Sequence, residues 1–166
     1  MDAARDSVDE HIARWSRVLP DLDPDVEGAV TRMYFLVRHL KRHREETLAA
    51  HDLHAFEYET LHALAGRGVP HRAGPSELAT ELRMSPAAVT GRLDALQRRG
   101  YLNRLPSATD RRKVVVELTE AGLRVWQEAF GSMGYEEERI LGVLTATERR
   151  HLADLLRRLL CTVERQ

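Results

Sequence analysis

Cysteine is almost missing from this 166-residue chain. The single residue, Cys161, excludes an intramolecular disulfide and any four-cysteine zinc site. Long hydrophobic runs are missing too. No stretch approaches the roughly 18 uncharged apolar residues of a membrane-spanning helix, which excludes an integral helical membrane protein. The first ten residues, Met1 to Glu10, are acidic and lack the apolar segment of a secretory signal, so a cytoplasmic location is expected. There is no Gly-rich phosphate loop, no nucleophile elbow and no HExxH pattern. The carboxylates are scattered without an acid/base pair, and no enzyme is expected. Internal repeats and low-complexity segments are likewise absent.

Net charge is nearly absent, at −1, but its distribution is uneven. From Met1 to Glu27 there are three Arg against eight Asp and Glu, a balance of −5. From Arg83 to Lys113, seven Arg and one Lys face only Asp94 and Asp110, a balance of +6. A neutral protein with such a segregated basic block can present a strong local field to a polyanion.

What the chain does contain is helical periodicity. Asp6 to Val18 reads as a short helix, ended by Pro20 and the Asp/Pro-rich run to Asp25. Val26, Ala29, Val30, Met33, Leu36, Val37 and Leu40 then form a stripe that carries a second helix towards Ala50. His54 to Ala65 is a third, closed by Gly66 and Gly68. Gly74-Pro-Ser opens a fourth through Leu82, and Ser85-Pro86 opens a fifth that Gly100 ends. The period then shortens: residues 101–105 and the β-branched run Lys113 to Leu118 make a hairpin around the turn Pro106 to Asp110. Thr119 starts a long helix expected to break or bend between Gly131 and Gly134. Thr145 with Glu148 forms a capping box for a last helix, whose one face holds Leu152, Leu155, Leu156, Leu159, Leu160 and Val163.

Short helices followed by a two-stranded hairpin describe a winged helix-turn-helix in a mainly α protein. Glu77 to Leu82 is the positioning helix, with Leu78, Ala79 and Leu82 turned to the core, and Arg83-Met84 is the tight turn. Ser85 to Arg99 is the recognition helix, with Val89, Leu93 and Leu96 inward. Its other face offers Ser85, Ala87, Ala88, Thr90, Gly91 and Arg92, small enough for the most part to let a helix sit deep in a major groove, with Arg99 as a further cation. The wing, Asp110-Arg111-Arg112-Lys113, supplies cations at a tip that suits a minor groove, and Asp110 can orient one of them.

These residues resemble a known family. Ser85-Pro-Ala-Ala-Val-Thr-Gly-Arg-Leu-Asp-Ala-Leu-Gln-Arg-Arg-Gly-Tyr-Leu, then Arg104, Asp110-Arg-Arg and Val116-Glu-Leu-Thr-Glu-Ala-Gly122, are similar to the MarR family of bacterial transcriptional regulators. The resemblance implies N- and C-terminal dimerisation helices in segments 1–50 and 123–166, flanking a DNA-binding lobe at 51–122. It implies a homodimer on a pseudo-palindromic operator, and a small anionic or aromatic effector in a cleft between lobe and dimer interface. The extra N-terminal helix is similar to that of a urate-responsive branch. Residue by residue, that branch's ligand-contacting positions fall on Trp15, Glu59, Arg92 and Arg104, with Glu59 standing where Asp is usual. Trp15 could stack on a flat ligand, and the two arginines could neutralise an anion.

Other readings compete. His39 and His43 lie four apart, with His51 and His54 nearby, which would suit a zinc-responsive regulator of the same fold; zinc needs three or four convergent ligands. Neither a metal site nor a cofactor is expected. Cys161 among leucines reads as structural rather than as a reactive thiol. A helical adaptor that never touches DNA would leave the basic block and the small-residue helix unexplained.

Overall fold

The structure is a computed structural model that describes residues 5–107 and 113–165. In chain order it has α1 (Ser7–Trp15), α2 (Pro24–Ala50), α3 (Ala55–Ala65), β1 (Arg72–Ala73), α4 (Pro75–Glu81), α5 (Pro86–Arg98), β2 (Leu102–Pro106), β3 (Val114–Leu118), α6 (Glu120–Leu141) and α7 (Ala146–Glu164). Two compact units result, 1–44 and 45–166, with the division falling inside α2. None of the helices is long and apolar enough to cross a membrane, among the described residues.

In the first unit the acidic start of the chain serves as a cap. Asp6 accepts the backbone N–H groups of Val8 and Asp9 at 2.9 and 3.2 Å, and the Asp9 side chain accepts that of Asp6 at 2.9 Å. Arg32 of α2 closes the arrangement, donating to both Asp6 oxygens at 2.8 and 3.0 Å and to Asp9 at 2.6 Å. Its guanidinium holds the Asp6 carboxyl below the ordinary range. A second tie joins His11 to Glu27 at 2.8 Å. The close approach of α1 to α2 explains Gly28: a Cβ there would stand 2.8 Å from Arg32 Nη1 and 3.1 Å from Ile12 Cδ1. The apolar stripe of α2 is not consumed by this packing, since Val26, Val30, Leu36 and Val37 are exposed.

The second unit holds a continuous core. Leu61 and Leu64 of α3, Leu78 of α4, Val89, Leu93 and Leu96 of α5, and Leu102 and Val116 of the sheet are all buried together. The sheet is antiparallel in the order β1-β3-β2, with Arg104 opposite Val116 and Ala73 also opposite Val116 on the other side. The strand β1 was beyond the reach of periodicity, because two residues carry no alternation. The junction from sheet to α6 is tight. Thr119 caps α6 by accepting the Gly122 N–H at 3.0 Å and donates to the Gly100 carbonyl at 2.7 Å. A Cβ on Gly122 would lie 2.1 Å from the Tyr101 carbonyl oxygen.

One expectation about the long helices meets a different outcome. Helix α6 runs unbroken through Gly131 and Gly134. Two glycines cost only about 1 kcal/mol each in a helix, and the turns on either side are anchored, by buried Ala129 before them and by the Glu136–Arg139 pair at 2.7 Å after them. Helix α7 begins at the expected capping box, with Thr145 N–H donating to Glu148 at 2.7 Å, yet it has no buried residue. Its apolar face, including Leu155, Leu156, Leu159, Leu160 and Val163, stands exposed, and Cys161 is half-buried.

Candidate nucleic-acid interface

Helix α5 owes its placement to three buried residues at helical spacing, Val89, Leu93 and Leu96. The preceding turn is set by Arg83 in the left-handed region (φ 52), with Met84 N–H donating to the Ala79 carbonyl at 2.9 Å. Ser85 then caps α5, its hydroxyl accepting from Ala88 N–H at 3.3 Å, and Pro86 occupies the first turn, where a missing N–H costs nothing. With the inner face fixed, the outer face is determined. Ser85, Ala87, Ala88, Thr90 and Gly91 are all exposed. Thr90 donates its hydroxyl to the Pro86 carbonyl at 2.9 Å and remains exposed. Around Gly91 there is no heavy atom within 4 Å of a built Cβ.

Beside the start of α5, residues Ser76, Ala79, Thr80, Arg83, Met84 and Pro86 line an open notch of about 450 Å³. Arg83 is exposed at its edge and makes no ion pair among the described residues. It is a cation that the motif reading passed over as part of a turn. The hairpin of β2 and β3 closes with Ser107 N–H donating to the Lys113 carbonyl at 2.9 Å, and the Lys113 side chain is exposed. Asp110, Arg111 and Arg112 lie outside the described residues.

Three further arginines of the basic block, Arg92, Arg99 and Arg104, are engaged. Arg92 donates to Glu59 of α3 at 3.0 Å and stands 5.6 Å from the Phe56 ring centroid. Arg104 of β2 donates to Asp94 of α5 at 2.5 Å. Arg99 donates to Glu57 at 2.7 Å, Asp52 at 2.9 Å and the Tyr101 hydroxyl at 3.2 Å. Burial works to lower its pKa, but the Glu57 and Asp52 carboxylates and the Tyr101 hydroxyl outweigh it and hold the guanidinium above its ordinary value. Arg92 and Arg99 therefore differ from the small residues with which the sequence grouped them: each is committed to carboxylates of its own subunit.

Of the residues expected around a small ligand, Glu59 and Arg92 are joined directly, and Arg104 is held by Asp94. Trp15 belongs to the first unit, on α1, where it is 42% exposed and tilted against His11. The acidic partners Glu57, Asp52 and Asp94 were not foreseen. Glu57 had a signal: a Glu three residues after a helix start, set between Phe56 and Tyr58, caps the His54 N–H (2.9 Å) and demands a cation when buried. His39, His43, His51 and His54 form no metal-binding group, since no three His, Cys, Asp or Glu side chains converge among the described residues.

The chain and its fold are similar to known proteins. The sequence profile of the MarR family matches residues 58–114. The chain is 30% identical to the HTH-type transcriptional regulator PecS of Dickeya dadantii over 91% of both chains. It is 32% identical to the HTH-type transcriptional repressor NicR of Pseudomonas putida over 65% of this chain and 66% of NicR. Among solved structures, the apo form of wild-type MarR from E. coli superposes with a TM-score of 0.63 at 27% identity, over 78% of this chain and 94% of that one.

Proposed function

The chain belongs to the MarR family, and from that premise we propose that this DNA-binding transcriptional regulator is a homodimeric repressor released by a small anionic effector. It is not an enzyme. The observation that carries the DNA reading is the exposed small-residue face of α5, Ser85 to Gly91, together with exposed Arg83 in the turn before it and exposed Lys113 on the hairpin. Ser85, Ala87, Ala88, Thr90 and Gly91 approach base edges in the major groove. Arg83, Lys113 and the wing residues Arg111 and Arg112 take phosphates and the adjacent minor groove. NicR bears the name repressor, which supports the direction of control. The chromosome as target implies action in the cytoplasm.

Dimerisation is supported by apolar surface that the subunit leaves uncovered. The faces of α2 and α7 expose Val26, Val30, Val37, Leu159, Leu160 and Val163, a pattern typical of an interface rather than of a solvated helix. A two-fold pair would set two copies of α5 about 34–36 Å apart, in successive major grooves. For the effector, the support is chemical. Arg92 and Arg104 each hold a carboxylate of the chain itself, Glu59 and Asp94, which a carboxylate or flat anionic ligand could replace. Because Arg92 and Asp94 both belong to α5, such a ligand would act on the recognition helix directly.

The test is a salt titration of binding to a duplex selected from a random pool, read by fluorescence anisotropy. A logarithmic salt slope of several units, reduced by about one in Arg112→Ala, is expected for a wing that neutralises a phosphate. Binding that ignores salt, or an Arg112→Ala slope equal to the parent's, contradicts the assignment.

A further inference from the structure

We propose that Arg99 is a positioning residue for DNA recognition: its guanidinium fixes the C-terminal end of α5 to the corner between α2 and α3, and it touches no phosphate. The inference rests on duplex DNA being the ligand of α5.

The geometry around Arg99 joins three elements. Its Nη1 donates to Glu57 at the start of α3, and its Nη2 donates both to Asp52, just past the end of α2, and to Tyr101, at the root of the wing. The guanidinium also lies 4.8 Å from the Tyr101 ring centroid, a cation–π arrangement. Glu57 is only 1% exposed, and the same oxygen that takes Arg99 also takes the His54 N–H. A carboxylate so enclosed requires a cation, and no other arginine or lysine is bonded to it among the described residues. Asp52 is held with φ 52, a left-handed conformation that turns the chain from α2 into α3. One planar fork therefore meets a buried acceptor and an exposed one in different directions, a task for which the single ammonium of lysine is not shaped.

The consequence for recognition is leverage. The 13 residues of α5 span about 20 Å, so a tilt of about 3° at Arg99 displaces the residues near Ser85 by about 1 Å. Displacements of that size decide whether a side chain reaches a base edge, while phosphate attraction barely registers them.

The experiment uses the full chain and two duplexes of equal length and composition, one selected from a random pool and one scrambled. Affinities of Arg99→Gln, Arg99→Lys and Asp52→Asn are measured over a series of KCl concentrations, with thermal midpoints recorded alongside. The expected result is that both Arg99 variants lose roughly tenfold in preference for the selected duplex, as a misplaced base contact would. Their salt slope stays that of the parent, and lysine does not rescue. Asp52→Asn, which leaves the Glu57 pair in place, shows a smaller loss of preference at a thermal midpoint close to the parent's. The inference is overturned if Arg99→Gln lowers the slope by about one unit and weakens both duplexes equally while Arg99→Lys restores binding, the signature of a phosphate contact. It is equally overturned if preference falls only in step with the thermal midpoint and Asp52→Asn behaves as the parent. A parent protein that binds neither duplex in a salt-dependent way overturns DNA as the ligand, and is told apart because the parent itself fails.

Discussion

Gly91→Ala should raise the stability of the protein and lower its affinity for DNA in the same sample. Gly91 lies in the middle of α5, where glycine costs about 1 kcal/mol relative to alanine through backbone entropy. The added Cβ meets nothing within 4 Å, so no steric term offsets that gain. In a chain of this size, about 1 kcal/mol corresponds to a rise of roughly 2–4 °C in Tm. On DNA the same methyl group would stand in the space that brings Ala87, Ala88 and Thr90 against base edges. A loss of about 1.4 kcal/mol, roughly tenfold in Kd, is expected if the duplex approaches that closely. Thermal melting followed by fluorescence gives the first quantity, and anisotropy with a selected duplex gives the second. Opposite signs are the point of the experiment, because a merely structural glycine would move both quantities together. A raised Tm with unchanged affinity would show that DNA does not approach Gly91. A lowered Tm would show that the outer face of α5 is not open.

Other consequences are as specific. Gly122→Ala should destabilise by about 1–3 kcal/mol, since the Cβ would lie 2.1 Å from a backbone oxygen that cannot swing aside; an unchanged denaturation midpoint contradicts the tight junction at Tyr101. The attachment of α1 should be acid-labile. Asp6 is lowered from 3.8, chiefly by the Arg32 hydrogen bonds, and Glu27 from 4.5, chiefly by the His11 hydrogen bond. Folded values below the unfolded ones give a stabilisation that is complete above the unfolded values and fades as pH falls through the depressed ones. In a Trp126→Phe background, Trp15 fluorescence should therefore change below about pH 4, and Arg32→Ala should show the loosened signal already at neutral pH; a signal flat from neutral to strong acid contradicts both ties. Asp94→Asn should make release from DNA by small aromatic or polycarboxylate anions occur at lower concentration, by freeing Arg104. Identical release midpoints in the two proteins would remove Arg104 from the effector site.

The parts of the fold that follow from local rules were legible in the sequence. Ser85-Pro86 marks the start of α5, Thr145 and Glu148 mark that of α7, and the spacing of Val89, Leu93 and Leu96 fixes which face of the recognition helix is inward. The break expected at Gly131 to Gly134 fails because helix propensity is a weak local preference, and the well-anchored turns around those glycines override it. The stripes of α2 and α7 were correctly seen as apolar faces, but periodicity names a face without naming what covers it. The fates of the arginines were the least visible. Arg92 pairs with Glu59, Arg99 with Glu57 and Arg104 with Asp94, across 33, 42 and 10 residues of chain. An ion pair between distant segments leaves no periodic trace, so a run of arginines read as one basic block contains structural ties such as Arg99 beside Arg83, which makes no ion pair among the described residues.

The most direct measurement is photo-crosslinking from a diazirine side chain placed at position 90, on the exposed face of α5, in the presence of a selected duplex. Crosslinks to bases in two half-sites one helical turn apart, competed by unlabelled selected duplex and not by a scrambled one, are the predicted result. Crosslinks confined to the protein, or spread evenly over both duplexes, would mean that this helix does not read DNA.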